Sequence, residues 1–460
     1  MAAGLVFVAS GAVLVLEILG IRLLAPYVGL TLETTTTIIG TVLAGIAAGA
    51  ALGGRAADRY DERKLLALLF AAGGGLAIAT VPLVRGLGEA LRGGGDAAAF
   101  AVTLLALFPP AAVLSAVTPT VVRLELRDLG STGSVVGRVS AWATAGGLVG
   151  TFVTGFVIVP LLPTDIAVLV VGGVLVAIGL ALGAALRLAA SAAVVAVVTL
   201  VAGPPCDVET GYHCARVVED PGRDSGRTLV LEDLPHSYVD LEDPRHLEFD
   251  YTQWIGTAID GLPGGPLDTV FLGGGGFTLP RYVAATRPGS RSRVLEVDGD
   301  LVTLARERLG LRTSDALAVR VGDARVTLRR ERPASADLVV GDAFGGRAVP
   351  WHLTTAEFME DVRRVLRPGG LYALNVIDYE PLGLVRAEAA TLLETFDDVA
   401  LVSHRQPGGN FVFLASDGTL PAGPDDADVL DRAEVARLAD GADALRDDDA
   451  PADQLLTPRG

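Results

Sequence analysis

Four consecutive glycines, Gly273–Gly276, directly follow the apolar segment Val270–Leu272. Glycine permits a tight strand-to-helix turn and lets backbone N–H groups come close to a ligand. Glu296 ends the next apolar segment, 22 residues after Gly274. That spacing suits a carboxylate that accepts hydrogen bonds from the hydroxyls of a ribose. The pair therefore indicates a nucleoside, although a glycine run taken alone could be only a tight turn.

A third element of the same kind closes a later apolar segment. Gly322, Asp323 and Ala324 follow Leu317–Val321, at a place where an adenine could be held. The carboxyl ends of parallel strands meet at one edge of a sheet, so residues that follow successive strands come together there. The glycine run, the acid and the Gly-Asp-Ala segment, in this order, favour a nucleoside site over a purely structural role.

Asp342 ends a fourth strand-like segment, which begins near Asp337. An acid at this position points into the crevice beside the predicted nucleoside, where it could orient or deprotonate an amine nucleophile. Aspartate also caps helices and turns, which is the structural alternative. The place of Asp342 at a strand end favours the functional interpretation.

The segments around these residues predict a fold. From residue 263 to residue 421, strand-like runs alternate with helix-like stretches, and two late strands are expected at 398–403 and 410–415. This alternation predicts a mostly parallel, doubly wound α/β domain of the Rossmann-like type.

Smaller regions flank this domain. The short runs Thr228–Leu231 and Ser237–Leu241 lie between turn residues, so residues 204–262 are expected to form a small N-terminal β subdomain. Residues 422–460 are rich in acids and are expected to form a C-terminal tail, most simply a solvated face.

The first 203 residues differ in composition from the rest. They contain 11 basic and 10 acidic side chains, whereas the remaining residues contain 26 and 44. Apolar runs close to the roughly 20 residues that cross a bilayer lie in this first part. They predict a multi-pass α-helical domain over residues 1–203, located in the cell membrane with the lipid bilayer as its partner. The candidate spans are 4–25, 35–54, 64–85, 97–119, 137–160, 165–186 and 188–203.

The whole chain has 50% hydrophobic residues and a formal net charge of -17. Phosphate binding needs Lys and Arg, so we expect no nucleic-acid partner. The apolar content excludes disorder for most of the chain. The sequence does not determine the oligomeric state, and it is compatible with a homo-oligomer.

The seventh span decides on which side of the membrane residues 204–460 lie. Basic residues concentrate in the loops after the second, fourth and sixth spans, and the positive-inside rule places these loops in the cytoplasm. Seven spans then place the second part outside, whereas six, with 188–203 on the membrane surface, keep it inside. Cys206 and Cys214 are either unrelated small residues or a disulfide, which needs an oxidising compartment and agrees with seven spans.

Residues 210–421 resemble the spermidine synthase (polyamine aminopropyltransferase) family, and residues 1–203 resemble the membrane segment of its membrane-fused bacterial members. The matching segments are Thr228–Leu231, Tyr251, Gly273–Gly276, Leu295–Asp298, Gly322–Ala324, Asp342, Glu357–Phe358 and Leu366–Gly370. The last of these occurs widely in class I methyltransferases, so it indicates only a class I methyltransferase-like fold.

The resemblance implies transfer of an aminopropyl group from decarboxylated S-adenosylmethionine, as co-substrate, to a small-molecule amine. By resemblance, Asp342 is the catalytic residue that takes the proton of the amine. Glu296 holds the ribose, Asp323 with Ala324 faces the adenine, and His213 aligns with a family glutamine. The residues thus predicted to bind the nucleoside are His213, Gly273, Gly274, Gly275, Glu296, Asp323 and Ala324.

Several acids of the family pattern are missing. The family has an Asp at the position of Gly276 and a second acid at the position of Gly345, and its Tyr-His-Glu appears here as Tyr251–Gln253. Burying ammonium groups without paired acids is costly, so the residues support the nucleoside half of the site more than they support putrescine. The residues predicted to contact the acceptor are His236, Tyr251, Gln253 and Gly276.

Two other functions stay open, because a fold does not determine a function. One is an S-adenosylmethionine-dependent, methyltransferase-like enzyme that acts on another acceptor. The other is a non-catalytic, polyamine-binding or transport-linked membrane protein. We expect no metal site in any of these cases.

Overall fold

The computed structural model describes residues 2–28, 32–91, 95–126, 131–344, 349–404 and 408–456. The chain forms two compact units, Met1–Cys214 and Ala215–Gly460. The first unit is mainly helical, and the second is built around β-sheets.

The first unit contains long apolar helices. Its helices are α1 Ala2–Val28, α2 Leu32–Ala57, α3 Glu62–Ala90, α4 Gly95–Ser115, α5 Val117–Glu125, α6 Thr132–Val153, α7 Val159–Leu161, α8 Thr164–Ala181 and α9 Leu186–Ala202. A π-helical turn, Thr154–Ile158, joins α6 to α7. Within the described residues, six helical segments are long and apolar enough to cross a membrane, and they overlap the first six predicted spans. The structure thus agrees with a membrane helical domain, while α9 is apolar but has only 17 residues.

Glycines let these helices approach closely. A Cβ at Gly49 of α2 would lie 2.0 Å from the backbone oxygen of Ala112 in α4. A Cβ at Gly146 of α6 would lie 2.1 Å from the backbone oxygen of Phe7 in α1. Lipid provides no hydrophobic drive between helices, so this close packing contributes to their association in a bilayer.

A short strand and a disulfide follow α9. Strand β1 is Val208–Glu209, and Cys206 and Cys214 form a disulfide around it. Of the two alternatives for these cysteines, the disulfide is therefore confirmed.

The second unit begins with an antiparallel sheet. Three strands of this sheet are β2 Cys214–Asp220, β3 Arg223–Leu231 and β4 Leu234–Asp240. Val217 pairs with Leu229, and Thr228 pairs with Tyr238. Both strands predicted in this region are present. Helix α10, Asp250–Gly261, follows them where only short β segments were expected.

A larger, mixed sheet forms the centre of this unit. Its strands are β5 Asp268–Leu272, β6 Arg291–Glu296, β7 Leu317–Val321, β8 Ala336–Gly341, β9 Leu366–Asp378, β10 Asp398–Ser403, β11 Gly409–Ser416 and β12 Asp428–Leu430. Their order is β12-β10-β11-β9-β8-β5-β6-β7. The five neighbouring strands β9, β8, β5, β6 and β7 are parallel to one another. Strands β11, β10 and β12 extend the sheet beyond β9 through antiparallel pairs. The predicted Rossmann-like, mostly parallel fold is confirmed.

Helices pack on this sheet through apolar faces. They are α11 Thr278–Thr286, α12 Gly299–Arg308, α13 Ala324–Leu328, α14 Ala356–Val365, α15 Gly383–Thr395, α16 Arg432–Leu438 and α17 Ala452–Leu455, with a 3-10 turn at Trp351–Leu353. In α14, Phe358, Val362 and Val365 recur at helical spacing and are fully buried. They join the core that contains Val270 and Val339 of the central strands.

The strand register brings the predicted site residues to one edge. Leu272 at the end of β5 pairs with Leu295 of β6 and with Gly341 of β8. Glu296 pairs with Val321 at the end of β7. The residues that follow these four strands are therefore neighbours, as the sequence predicts.

The acidic tail is attached to the second unit. Asp447 accepts two hydrogen bonds of 2.7 Å from the guanidinium of Arg325, and one of 2.8 Å from the hydroxyl of Thr355. Strand β12 also adds to the edge of the large sheet. The tail is thus more than the solvated face that the sequence indicates.

Candidate active site

Close contacts around the turn after β5 require glycine at two of its positions. Gly273 has a φ of +93°, and a Cβ there would lie 2.3 Å from the backbone oxygen of Asp342. Gly275 has a φ of +48°, and its Cβ would lie 2.6 Å from the Oγ of Ser237 in β4. A side chain at either position would have to displace neighbouring groups and adopt a strained backbone.

The N–H groups of this turn donate to the protein itself. Gly274 N–H donates to Glu296 Oε2 over 2.7 Å, and Gly276 N–H donates to Ser237 Oγ over 3.0 Å. The other Glu296 oxygen accepts from the N–H of Asp298 over 2.9 Å. The N–H groups of Gly274 and Gly276 therefore face the protein, which differs from the expectation for these two groups, while nucleoside binding by the turn stays a prediction. Each carboxylate oxygen can accept two hydrogen bonds, so Glu296 keeps capacity for a ribose.

Asp323 caps α13. One carboxylate oxygen accepts from the N–H of Val326 over 2.9 Å, and the other lies 2.8 Å from Nε2 of His352. Ala324 is buried at the start of the helix. Contact of this pair with an adenine stays a prediction, and His352 is a neighbour that the sequence did not reveal.

Asp342 is held by two side chains from other elements. Tyr251 of α10 donates its hydroxyl to Oδ2 over 3.2 Å, and Asn375 of β9 donates its amide to Oδ1 over 2.9 Å. Asn410 of β11 donates in turn to the Asn375 oxygen over 3.0 Å. Because both oxygens accept from these side chains, the contacts differ from those of a helix or turn cap.

Burial raises the pKa of Asp342 to about 6, and the hydrogen bonds from Asn375 and Tyr251 act in the opposite direction. Burial, followed by the negative charge of Asp342, holds the pKa of Tyr251 well above its usual value. Tyr251 therefore stays a hydrogen-bond donor at neutral pH. Asp342 is mostly ionised at pH 7, and its affinity for a proton is higher than that of an ordinary aspartate.

Asp342 lies on the wall of a cavity of about 500 Å³ in the second unit. His236 and Tyr251, both predicted to contact the acceptor, line the same cavity. Asn375 and Asn410 line it as well. The structure thus brings together the predicted catalytic residue and two of the predicted acceptor contacts.

Two further carboxylates reach this cavity. Glu248 and Asp250 line its wall just before and at the start of α10. Each has an imidazole beside it: His246 Nε2 lies 2.9 Å from Glu248, and His404 Nε2 lies 3.0 Å from Asp250. These acids bring negative charge to a site that lacks the family acid at Gly276.

Other predicted residues lie elsewhere. Gln253 is on the exposed face of α10, where its amide donates to the backbone oxygen of Leu247 over 2.9 Å. Gly276 contacts Ser237 rather than the cavity. His213 belongs to the first unit, so its role in nucleoside binding stays a prediction. Gly345 lies outside the described residues.

The sequence contained a signal for one of the residues that were missed. Asn375 interrupts the apolar run of β9, where a polar side chain needs a partner when it is buried. Asn410 has no comparable signal, since only the pairing of β11 with β9 brings it close. Within the described residues, no group of three or more His, Cys, Asp or Glu side chains could hold a metal ion.

Comparison with known proteins identifies relatives of this chain. No protein-family model matches the chain. The polyamine aminopropyltransferase of Vibrio vulnificus is 28% identical over 188 residues, which cover 40% of this chain and 61% of the relative. That of Chromobacterium violaceum is 27% identical over 141 residues, which cover 30% of this chain and 53% of the relative. The chain thus spans less than two thirds of the length of these curated relatives.

A solved structure extends the comparison. The crystal structure of a probable spermidine synthase from Corynebacterium glutamicum is 30% identical and superimposes with a TM-score of 0.50. The match covers 53% of this chain and 97% of that protein. Since almost the whole of that protein is matched, this chain belongs to the spermidine synthase family.

Proposed function

We propose that this protein transfers an aminopropyl group from decarboxylated S-adenosylmethionine to an amine acceptor. The observation that carries the proposal is Asp342, a carboxylate with a raised pKa on the wall of a large cavity. Tyr251 and Asn375 hold it beside the glycine turn, where its backbone oxygen approaches Gly273. We also propose that the long apolar helices hold the enzyme in the cell membrane.

The donor would lie along the carboxyl edge of the parallel strands. Glu296 would accept hydrogen bonds from the ribose, and Asp323 with Ala324 would face the adenine. In this proposal the sulfonium would lie near Gly273, which is close to the backbone oxygen of Asp342.

The reaction is a displacement at carbon. The neutral amine attacks the aminopropyl carbon that is bonded to sulfur, and a C–N bond forms as the C–S bond breaks. The electron pair of the C–S bond goes to sulfur, which leaves as the neutral thioether of methylthioadenosine. The new ammonium loses one proton to the Asp342 carboxylate, which then releases it to solvent.

In this proposal the acceptor has, besides the neutral amine that attacks, a distal ammonium group that stays charged. Glu248 and Asp250 line the same cavity as Asp342, and an ammonium could pair with either carboxylate in place of its imidazole partner. The two acids would offset the desolvation of a distal ammonium, which the glycine at position 276 cannot do.

The test uses the full chain in detergent or nanodiscs. The protein is incubated with decarboxylated S-adenosylmethionine and a panel of monoamines, diamines and triamines, and the products are identified by mass spectrometry. We expect methylthioadenosine and an aminopropylated diamine or triamine. Intact S-adenosylmethionine serves as the comparison donor. Formation of S-adenosylhomocysteine from it, without turnover of the decarboxylated donor, would contradict the proposal and favour methyl transfer.

A further inference from the structure

We infer that α9 is a seventh membrane-spanning helix, and that the chain from Cys206 onward lies on the non-cytoplasmic side of the membrane. The second unit, with the candidate active site, would then face away from the cytoplasm. This inference rests on the first unit alone, so it stands or falls independently of the proposed reaction.

Arg85 shows the direction in which α9 runs. It lies near the end of α3, forms an ion pair with Asp165 at the start of α8, and donates to the backbone oxygen of Thr199 over 3.1 Å. Thr199 is near the end of α9. Since α8 begins beside Arg85 and α9 ends beside it, the chain leaves this end of the bundle along α8 and returns to it along α9.

The middle of α9 packs against the bundle. Ala192 is buried in a cluster with Ile78 of α3 and Val176 of α8. The helix thus lies along two helices that are long and apolar enough to span. Its 17 residues extend about 25 Å, within the range of a short transmembrane helix.

The outer face of α9 suits lipid rather than a membrane surface. Val194, Val197 and Val198 are each more than half exposed, and Val201 is 83% exposed. A helix that lies in the interface presents a strongly polar or charged face to water. Apart from Arg187 and Ser191 in its first two turns, the exposed side of α9 is apolar, which indicates hydrocarbon around it.

The basic residues at the start of α3 fix which of its two ends is cytoplasmic. Arg55, Arg59, Arg63 and Lys64 cluster around its first residues, which places that end in the cytoplasm. The helix has 29 residues and extends about 43 Å. Arg85 is therefore at the other face of the membrane, and so is the end of α9.

The disulfide loop is fastened at that same end. Arg22 pairs with Glu209 over 3.0 Å and donates to the backbone oxygen of Thr210 over 2.6 Å. Glu209 also accepts from the N–H of Thr164 over 2.9 Å. The Cys206–Cys214 disulfide closes this loop. Disulfides persist in oxidising compartments, so the cysteines and the basic residues assign the same side independently.

The location constrains how the site is supplied. In the described part of the chain, the last of the six long apolar helices ends at Ala181. The chain after α9 therefore has no described helix through which it could cross the membrane back to the cytoplasm. If the donor nucleoside is made in the cytoplasm, a membrane transport step must deliver it. The acceptor would be an amine on the non-cytoplasmic side.

The test is thiol labelling of intact cells with a membrane-impermeant maleimide. Two single variants keep the native disulfide, whose sulfurs do not react: Asp300→Cys in the second unit and Arg59→Cys in the basic loop. Both positions are exposed. We expect labelling of Asp300→Cys only, labelling of both after permeabilisation, and labelling of the wild type only after reduction.

Two outcomes would overturn the inference. Labelling of Arg59→Cys but not of Asp300→Cys in intact cells would show that the second unit lies in the cytoplasm and the basic loop outside. Identical behaviour of the two variants would show that both positions lie on the same side, so that α9 does not cross the membrane. Wild-type labelling without reductant would remove the argument from the disulfide. Because no reading depends on turnover, failure here is distinguishable from failure of the proposed reaction.

Discussion

Two tyrosine–aspartate pairs in the second unit make the same hydrogen bond in different surroundings. Tyr282 of α11 donates to Asp260 over 2.7 Å, and Tyr251 of α10 donates to Asp342 over 3.2 Å. Asp260 is exposed, whereas Asp342 directly follows the central strand β8, and burial raises its pKa to about 6. The tyrosine partner is common to both, so the position at the carboxyl edge of the sheet is what produces a proton acceptor.

The largest expected effect separates the two aspartates. Asp342→Asn is expected to lower kcat by about 10² to 10⁴, because the amide cannot take the proton of the amine. Asp260→Asn is the matched control and should leave kcat within about twofold. Initial rates at pH 7.5, together with donor binding as a check of folding, measure this. Equal losses in the two variants would remove the distinction between the pairs.

The pH dependence tests the same distinction without mutating the cavity. The active form of Asp342 is the carboxylate, which predominates above a pKa of about 6. We therefore expect kcat/KM for the donor, measured at subsaturating amine and divided by the fraction of neutral amine, to fall about tenfold per pH unit below about 6 and to level off above it. Asp260→Asn should keep this inflection. A flat profile between pH 5 and 7 would show that Asp342 does not control the rate.

Removing the amide that supports Asp342 should have a smaller effect. Asn375 stabilises the ionised carboxylate, so Asn375→Ala is expected to raise the pKa of Asp342 and to shift the inflection upward by about one pH unit. Activity at pH 6 would fall about fivefold, because the ionised fraction of Asp342 falls from about one half to about one eleventh. Asn410→Ala, which removes only the partner of Asn375, should shift the inflection less. A downward shift in Asn375→Ala would contradict the assigned role.

The smallest effect is expected at the tyrosines. Tyr251→Phe removes the longer hydrogen bond to Asp342 and should raise the inflection by a few tenths of a pH unit, with a loss of about 1.5-fold at pH 6. Tyr282→Phe removes the shorter bond to Asp260 and should leave the profile unchanged. If both variants shifted the inflection equally, a general loss of stability would explain the result better.

Local patterns were sufficient for much of the fold. Strands β7 Leu317–Val321 and β10 Asp398–Ser403 have the bounds that the sequence predicted, because each is a short, mainly apolar run between turn residues. Helix α10 was missed, although Trp254, Ile255 and Ala258 recur at helical spacing and are buried. That pattern was readable, but the β segments before it favoured the wrong assignment.

The candidate site was predicted only in part. Asp342, Tyr251 and His236 meet at one cavity, as the sequence analysis indicates. Gln253 does not, because two positions along a helix turn the side chain by about 200° away from Tyr251. Asn410 was not predictable, because its contact with Asn375 exists only through the pairing of two strands.

The sequence by itself determined which residues end the parallel strands, and therefore that Gly273, Glu296 and Asp342 share an edge, because apolar runs and the order of strands are local properties. Only the tertiary structure decided that Tyr251 and Asn375 converge on Asp342, since α10 and β9 are distant in the chain. It also decided the proton affinity of that carboxylate, because desolvation depends on everything that is packed around the group.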